Sequence, residues 1–298
     1  MYEELVKQFG ARARRDEPMS RHTTFRIGGP ADLLVDVETP DELRHVLSYA
    51  VDQGVGIHVI GRGANVLVSD SGIRGVVLRL AGDFRRIVFD EDKGTANAGS
   101  GATLSTLLAD STKGGWSSFA WAVGIPGTLG GAVACNAGAW GRAIGEFVEA
   151  LHVMTREGEE RVLLKEEVTF DCRRSSLTPS EIITEVSLRL ERAAGDEQDL
   201  RDLTAGYLAR KRKTQPLDLP SAGSVFKNTP HGPAGQLIDR AGCKGMREGD
   251  AVVSPKHANF IVNEGKATAA DVLRLIERVS ERMKAESGVD LELEIRLL

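Results

Sequence analysis

Two glycine-rich stretches are the parts of this chain best suited to hold a ligand through their backbone. The segment Gly124–Gly141 contains six glycines and one proline in eighteen residues, and none of its residues is charged. A flexible glycine linker would be polar. An apolar run of this kind therefore indicates backbone packed closely against another strand or against a flat, phosphate-bearing ligand.

The second stretch, Gly61–Asn65, directly follows a short predicted strand, Ile57–Ile60. It lacks the third glycine of the dinucleotide fingerprint, and the sequence contains no GxxxxGK[ST] phosphate loop. Both absences disfavour a Rossmann dehydrogenase and a P-loop NTPase. Alone, the turn is better explained as structural, but together with Gly124–Gly141 it could supply several backbone N–H groups to one diphosphate.

Three polar side chains could carry acid–base or electrostatic chemistry. Ser224 follows Gly223 and could transfer a proton if a neighbour tuned its hydroxyl. Arg173 belongs to an Arg-Arg pair, and Glu294 lies in an alternating C-terminal stretch. Each has a simpler explanation. Ser224 could belong to a Ser-Gly turn entering a strand, Arg173 to a solvated basic pair, and Glu294 to the polar side of an edge strand. The GxSxG elbow of a hydrolase nucleophile is absent from the sequence.

Charge and residue spacing exclude several other classes. The formal net charge of -5 disfavours a general nucleic-acid binder. The six histidines lack a spacing such as HExxH, so no metal site is expected. Three widely spaced cysteines indicate a reducing compartment. Because the sequence shows no apolar span of about 18 residues and no apolar signal region, we expect a cytoplasmic protein with no membrane association. No obligate protein partner is evident from the sequence.

The elements that must position these residues alternate between strands and helices. The capping box Thr39–Glu42, with Pro40 at the first helical position, predicts a helix that ends at Gly54. Strict alternation over Val289–Leu298 predicts a half-buried strand. Other predicted strands cover 31–37, 66–69, 76–80, 87–89, 150–155, 161–164 and 182–190, and other predicted helices cover 103–113, 200–213 and the segment capped by Thr268 and Asp271. From spacing alone, this is an α/β protein that binds a phosphate-bearing ligand.

Taken together, seven segments resemble one family, the UDP-N-acetylenolpyruvoylglucosamine reductases of peptidoglycan precursor synthesis. They occur in the family's order, span nearly the whole chain, and are specific as a set although each is weak alone. The length and the Gln215-Pro-Leu segment resemble the shorter form of the family. The seven segments are Thr23–Asp32, Gly61–Asn65, Gly124–Val133, Asn136–Gly141, Pro220–Asn228, His257–Asn263 and Leu291–Arg296.

The resemblance implies an α+β fold of the vanillyl-alcohol-oxidase (PCMH) type. Two α+β subdomains would hold FAD, and a C-terminal α+β domain would bind the substrate. The implied boundaries are 1–80 for the first FAD-binding subdomain, with 289–298 returning to it, 81–213 for the second, and 214–288 for the substrate domain. Bound FAD would be reduced by NADPH and would then reduce the enolpyruvyl group of the UDP-sugar to give UDP-N-acetylmuramate.

The resemblance also assigns roles to individual residues. Arg173 matches the family's arginine that stabilises the enolate, Glu294 the carboxylate that works beside it, and Ser224 the serine that donates a proton. Substrate contacts are expected from Gln215, Lys227 and Asn228. Flavin contacts are expected from Gly61, Arg62, Gly63, Ala64, Asn65, Gly124, Ile125, Pro126, Gly127, Gly131, Arg212 and Arg296.

The sequence departs from the family pattern at two aromatic positions. Cys172 stands where the family commonly has a tyrosine, and Trp140 replaces another tyrosine. Two other classes remain open: a regulatory protein that binds flavin or UDP-sugar without catalysis, and an oxidase of the same fold acting on another substrate. Retention of Arg173, Ser224 and Glu294 disfavours the first. The segments Ser221–Asn228 and His257–Asn263 disfavour the second.

Overall fold

A computed structural model describes residues 1–171 and 173–298 of the chain. In the described part, the α-helices are α1 (Glu3–Phe9), α2 (Pro40–Gln53), α3 (Leu104–Lys113), α4 (Leu129–Ala134), α5 (Glu197–Thr214), α6 (Ala234–Arg240) and α7 (Ala269–Ser287). The strands are β1 (Ala13–Pro18), β2 (Pro30–Val37), β3 (Ile57–Val59), β4 (Val66–Leu67), β5 (Ile73–Leu80), β6 (Ile87–Asp90), β7 (Thr95–Gly99), β8 (Gly138–Ala139), β9 (Arg142–Ala143), β10 (Val148–Met154), β11 (Glu160–Leu164), β12 (Phe170–Asp171), β13 (Arg174–Ser175), β14 (Ile182–Arg189), β15 (Arg247–Glu248), β16 (Ala251–Val253), β17 (Ile261–Asn263) and β18 (Arg296–Leu297).

The described chain divides into two compact units, each assembled from separate parts of the sequence. Unit 1 consists of Met1–Arg15, Leu33–Gly61 and Gly75–Ala209. Unit 2 consists of Asp16–Asp32, Arg62–Arg74 and Arg210–Leu298. The three-part division inferred from the family resemblance stays a prediction.

Unit 1 is built on two sheets with separate apolar cores. Its four-stranded sheet has the order β1-β2-β5-β3, and β3 pairs with β5 in parallel. The ends of β1, β2 and β5 are assigned to unit 2. Its five-stranded sheet has the order β11-β10-β14-β7-β6 and is antiparallel throughout. One core packs α2 against the first sheet, and the other packs α3, α4 and the glycine-rich run against the second.

Unit 2 has a smaller sheet and one long amphipathic helix. The strands β15, β16 and β17 form an antiparallel sheet, and β18 pairs with β4 in parallel. Helix α7 turns Val272, Leu275, Ile276, Val279 and Met283 into the core of this unit. This spacing of three and four residues is the apolar face that the sequence predicts. No helix in the described residues is both long enough and apolar enough to cross a membrane.

The helix boundaries that depend on local capping signals are confirmed. The Thr39 hydroxyl accepts a hydrogen bond from the Glu42 N–H, and α2 ends at Gly54, which has a left-handed backbone. The Thr268 and Asp271 side chains form a reciprocal capping box at the start of α7. These signals lie within four residues of the helix end they specify, so they can be recognised without knowledge of the tertiary structure.

The prediction of one continuous strand over Val289–Leu298 is wrong. Only Arg296–Leu297 forms a regular strand, and Leu297, predicted to face inward, is 51% exposed. The segment changes partner along its length: the Glu294 N–H donates to the Val225 carbonyl at 2.8 Å, whereas the Arg296 N–H donates to the Asn65 carbonyl at 3.0 Å. Because the partner changes between these two residues, no single ladder extends through the segment.

Helix α7 has a second, long-range cap. The two carboxylate oxygens of Asp70 accept hydrogen bonds from the N–H groups of Ala269 and Ala270, at 2.8 and 2.9 Å. These N–H groups have no partner within the helix, because the first turn of a helix leaves its donors unsatisfied. A carboxylate at this end also interacts favourably with the helix dipole.

We expect Asp70→Ala to lower the free energy of unfolding by about 1–2 kcal/mol, the usual effect of removing a helix cap. Chemical denaturation at pH 7 measures the difference. Asp290→Ala is the matched control, because it removes an exposed carboxylate paired with Lys284, and such a pair contributes less than about 1 kcal/mol. Equal stability of the Asp70 variant and the control would show that the long-range cap is dispensable.

Candidate functional site

In unit 1, Gly61 lies against the glycine-rich run at the start of α4. A Cβ atom on Gly61 would lie 2.3 Å from the Thr128 hydroxyl oxygen, too close for any residue other than glycine. Thr128 is itself the N-cap of α4 and accepts a hydrogen bond from the Gly131 N–H. The structure therefore brings two of the predicted cofactor segments together, Gly61 and Gly124–Gly131.

The glycines of this run meet different surroundings. Gly130 must lack a side chain because its Cβ would lie 2.8 Å from the Ser100 Cβ, and its N–H donates to the Ser100 carbonyl. At Gly127 and Gly131 a Cβ would meet the nearest described atom at 3.7 and 3.4 Å, which is ordinary contact. Neighbouring protein atoms thus explain why residue 130 is a glycine. They do not exclude a side chain at Gly127 or Gly131, whose backbone forms an open surface near Gly61.

In unit 2, the turn 62–65 presents a row of backbone donors. No acceptor among the described residues pairs with the N–H groups of Arg62, Gly63, Ala64 or Asn65. Gly63 has φ +60°, and a Cβ there would lie 2.3 Å from the His22 carbonyl oxygen. Successive N–H groups in a tight turn form a concave anion-binding surface, so this turn can bind phosphate oxygens.

Hydrogen bonds join this turn to both segments of unit 2 that carry predicted catalytic residues. Thr24 donates its backbone N–H to the Gly63 carbonyl at 3.1 Å and its hydroxyl to the Ser221 carbonyl at 2.7 Å. The Asn65 side-chain amide donates to the Glu294 carbonyl at 3.2 Å. Displacement of the turn would therefore displace the backbone near Ser224 and the backbone of Glu294.

Ser224 lies on an extended segment held from both sides. Its backbone bridges Phe260, and the next N–H, of Val225, donates to the Asn259 carbonyl at 2.8 Å. The buried Asn259 side chain then accepts from the Phe226 N–H and donates to the Phe226 carbonyl, at 2.9 and 2.8 Å. Gly223, at φ +79°, allows the chain to turn just before Ser224. The Ser224 hydroxyl has no hydrogen-bond partner among the described residues.

Glu294 lies beside the Ser224 segment in unit 2. Its backbone N–H donates a hydrogen bond to the carbonyl of Val225, the residue after Ser224. Its residue is partly buried, while Arg296, two positions on, is exposed. The structure therefore brings Ser224 and Glu294 to adjacent extended segments, although they are 70 positions apart in the sequence.

Arg173 lies in unit 1, at the turn of a short hairpin. The hairpin strands pair at Phe170–Ser175 and Asp171–Arg174, and Arg173 directly precedes the second strand. Arg173 has φ +60°, which costs a non-glycine residue about 1–2 kcal/mol. Its guanidinium donates to the Gly138 carbonyl at 3.2 Å, within the glycine-rich run. Backbone strain of this kind clusters at functional sites.

The predicted substrate contacts Lys227 and Asn228 both have partners within unit 2. The Lys227 ammonium forms an ion pair with Glu292, and its N–H donates to the Glu292 carbonyl at 2.8 Å. The Asn228 side-chain oxygen accepts from the Ala234 N–H at 3.0 Å, at the start of α6. The Asn228 amide nitrogen faces away from that bond and can serve another acceptor.

The remaining predicted contacts lie near the end of α5 in unit 2. Gln215 is partly buried, and its N–H donates to the Lys211 carbonyl at 2.7 Å. Arg212, predicted to contact flavin, is exposed, whereas the neighbouring Lys211 is only 5% exposed. The sequence reasoning missed the buried Lys211, because it lies in a run of four consecutive basic residues and nothing in the local sequence shows which of them is buried.

Sequence reasoning also missed three residues that hold the candidate site in place: Thr24, Asn136 and Asn259. All three lie inside motifs carrying the family resemblance, which was the available signal for them. Their partners lie up to 197 positions away, and that pairing is not visible in local sequence. Cys172, one of the two departures from the family pattern, lies outside the described residues. Trp140, the other departure, has φ +58° and stacks on Tyr207 with ring centroids 5.1 Å apart.

His257 supports the segment next to Ser224 in its neutral form. Its Nδ1 accepts from the Asn259 N–H at 3.2 Å, and its ring packs edge-on against Phe260. Burial, and then the positive charge of Lys244, lower the pKa of His257 below its usual value of 6.5. As the pH falls, the unfolded chain therefore takes up this proton first, and the stability contributed by neutral His257 is lost.

We expect the free energy of unfolding to decrease between pH 7.5 and 5.5, with a smaller decrease in His257→Gln, which has no titrating ring. Denaturant titrations at pH 7.5, 6.5 and 5.5 measure the slope. His231→Gln, at an exposed histidine of the same unit, is the control and should keep the wild-type slope. A wild-type slope in His257→Gln would contradict the assignment.

Comparison with known proteins identifies the family. Residues 31–163 match the model described as FAD binding domain, and residues 215–298 match that of the UDP-N-acetylenolpyruvoylglucosamine reductase C-terminal domain. The UDP-N-acetylenolpyruvoylglucosamine reductase of Moorella thermoacetica is 44% identical over 282 residues, covering 95% of this chain and 92% of that protein.

Solved structures confirm the predicted fold class. The UDP-N-acetylenolpyruvylglucosamine reductase of Thermus caldophilus is 38% identical, with a TM-score of 0.81, over 94% of this chain and 97% of that one. BBE-like 1 of Physcomitrella patens, 19% identical, shares the fold over 65% of this chain and 45% of its own, with a TM-score of 0.51. From its sequence identity over nearly its whole length, this chain belongs to the UDP-N-acetylenolpyruvoylglucosamine reductase family.

Proposed function

We propose that this chain is an FAD-dependent reductase of UDP-N-acetylglucosamine-enolpyruvate. It reduces the enolpyruvyl group to give UDP-N-acetylmuramate, a precursor of peptidoglycan. NADPH is the proposed source of reducing equivalents. The reaction is proposed to take place in the cytoplasm, where the three cysteines would stay reduced.

One observation carries the proposal beyond the family likeness. In unit 2, the turn 62–65 is hydrogen-bonded through Thr24 to the Ser224 segment and through Asn65 to Glu294. A protein that only binds flavin or UDP-sugar has no need to fix a serine and a carboxylate beside an anion-binding turn. This arrangement therefore supports catalysis over the binding-only alternative.

The residues present fit FAD on structural grounds. The unpaired N–H groups of 62–65 suit the oxygens of a diphosphate. The open backbone at Gly127 and Gly131 suits a flat group in close contact, because a Cβ at either position would meet no described atom closer than 3.4 Å. When bound, FAD supplies the hydride chemistry, and the protein supplies position and electrostatics.

The proposed role of Arg173 is electrostatic. Reduction of the enolpyruvyl carbon C3 leaves negative charge at C2, which is delocalised into the carboxylate as an enolate. A cation already held in place stabilises that charge without reorganising during the reaction. The hydrogen bond to the Gly138 carbonyl supports such preorganisation of Arg173. Glu294 is proposed to act beside it.

The proposed role of Ser224 is to donate the proton that C2 requires. A serine hydroxyl is a weak acid, so its contribution depends on its position and on the basicity of the carbanion. The bonds from Val225, Phe226 and Asn259 support a fixed position for this segment. Because the hydroxyl has no partner among the described residues, it is available to a substrate.

The other site residues keep the roles inferred from the resemblance, as proposals. Gln215, Lys227 and Asn228 are proposed to contact the UDP-sugar. The proposed FAD contacts are Gly61, Arg62, Gly63, Ala64, Asn65, Gly124, Ile125, Pro126, Gly127, Gly131, Arg212 and Arg296. The three-domain division at 80, 213 and 288 is likewise proposed.

We expect the purified protein to show flavin absorbance and to oxidise NADPH rapidly only when UDP-N-acetylglucosamine-enolpyruvate is present. Absorbance spectra and stopped-flow traces at 340 nm measure both properties. A protein without flavin would refute the proposal. A flavoprotein indifferent to this sugar but reactive with oxygen and another donor would instead be an oxidase of the same fold.

Ser224→Ala should separate the two halves of the reaction. We expect flavin reduction by NADPH at the wild-type rate, because that half-reaction does not require a proton for the UDP-sugar. Reoxidation of the flavin by the UDP-sugar should be slower by about 10²–10⁴-fold, the usual contribution of a positioned acid. Single-turnover absorbance of the flavin measures each half. Ser180→Ala, at an exposed loop serine, is the control. Wild-type reoxidation in Ser224→Ala would remove Ser224 as the proton donor.

A further inference from the structure

The hairpin that carries Arg173 is fastened to the glycine-rich run by one side-chain amide. Asn136 donates its Nδ2 to the Asp171 carbonyl at 2.9 Å, two residues before Arg173. The Asn136 Oδ1 accepts the Gly145 N–H at 3.1 Å. The Asn136 amide thus donates one hydrogen bond to the hairpin and accepts another from the backbone at Gly145.

Contacts around this amide leave the hairpin little freedom. A Cβ on Gly145 would lie 2.6 Å from the Phe170 Cγ, so the Phe170 side chain of strand β12 packs directly on the Gly145 backbone. The Lys165 ammonium lies over the Phe170 ring and hydrogen-bonds the Gly145 carbonyl. On the other strand of the hairpin, the Ser175 hydroxyl donates to the Ala134 carbonyl at 3.1 Å.

The same short stretch also fixes the Arg173 side chain. Its guanidinium donates to the carbonyl of Gly138, two residues after Asn136. Asn136 itself has φ +43°, a left-handed conformation that asparagine tolerates better than most residues. Residues 136–138 thus hold the backbone of the hairpin with one group and the guanidinium with another.

We propose that Asn136 is a positioning residue for Arg173, rigidifying the hairpin so that the guanidinium is held where enolate charge develops. The proposal rests on the electrostatic role of Arg173 proposed above. It adds a residue whose effect on the reaction passes through Arg173, since the amide of Asn136 bonds the Asp171 carbonyl on the hairpin and the Gly145 N–H behind it. The cost of misplacing a catalytic group by about 1 Å can reach 10²-fold in rate.

The test uses Asn136→Asp, which keeps the shape, the left-handed tolerance and the acceptor for Gly145. It replaces the donor with an oxygen facing the Asp171 carbonyl. In the flavin-loaded enzyme, we expect reduction by NADPH at the wild-type rate and reoxidation by the UDP-sugar slowed by about 10–10²-fold. The loss should appear in kcat with little change in KM, because ground-state binding of the sugar does not require the enolate contact.

A double-mutant cycle distinguishes action through Arg173 from a general structural effect. Arg173→Gly removes the side chain, and glycine accepts φ +60° without strain. If Asn136 acts through Arg173, Asn136→Asp should cause no further loss in the Arg173→Gly background. Asn97→Asp is the matched control on an exposed strand position of the same unit, and it should behave as wild type.

Hydrogen exchange provides a readout independent of activity. The Ser176 N–H donates to the Thr169 carbonyl at 3.0 Å, at the base of the hairpin. Its exchange should be faster in Asn136→Asp than in wild type or Asn97→Asp. If Asn136→Asp fails to fold, Asn136→Gly removes both bonds while keeping the backbone conformation, and the same measurements apply to it.

The outcomes separate this proposal from the one on which it rests. Slow reoxidation in Arg173→Gly with wild-type reoxidation and exchange in Asn136→Asp would overturn the role of Asn136 and leave that of Arg173 intact. Additive losses in the double variant would also overturn it, since the two residues would then act independently. Normal reoxidation in Arg173→Gly would refute the proposed function of Arg173 itself.

Discussion

The organisation of unit 2 depends on the C-terminal segment hydrogen-bonding two partners in succession. Glu294 pairs with the backbone at Val225, and Arg296 pairs with the backbone at Asn65. Because this change of partner occurs within three residues, the C-terminal segment joins the extended segment of Ser224 to the turn 62–65. If either partner moved, the N–H groups of Glu294 and Arg296 and the carbonyls of Val225 and Asn65 would lose these hydrogen bonds.

A similar constraint in unit 1 comes from close backbone approach. Gly130 packs on Ser100, and Gly145 packs on Phe170, each at a distance that no side chain permits. The first contact lies within the glycine-rich run and the second lies just after it, and between them Asn136 and Gly138 hydrogen-bond the hairpin of Arg173. Part of the run therefore has open backbone, at Gly127 and Gly131, where FAD contacts are proposed, and part of it contacts the charged side chain of Arg173.

Non-glycine residues with positive φ concentrate along this path. Asn136, Trp140 and Arg173 all adopt left-handed backbone conformations within unit 1. Such conformations persist only where surrounding contacts hold them, and here the contacts are the Asn136 amide, the Trp140–Tyr207 stack and the Arg173–Gly138 bond. In unit 2, the buried amide of Asn259 holds the irregular segment at Phe226 with two hydrogen bonds.

The sequence by itself determined both ends of α2, the start of α7, the flavin-binding fold class and the family. Capping boxes, the glycine after α2 and the apolar face of α7 are set by neighbours within a few residues, so their physics is local. Only the tertiary structure decided that Val289–Leu298 is not one strand, that Asn65 binds the Glu294 backbone, and that Asn136 binds the Arg173 hairpin. Those outcomes depend on which backbone groups meet across tens to hundreds of residues, and a side chain's capacity to hydrogen-bond does not specify its partner.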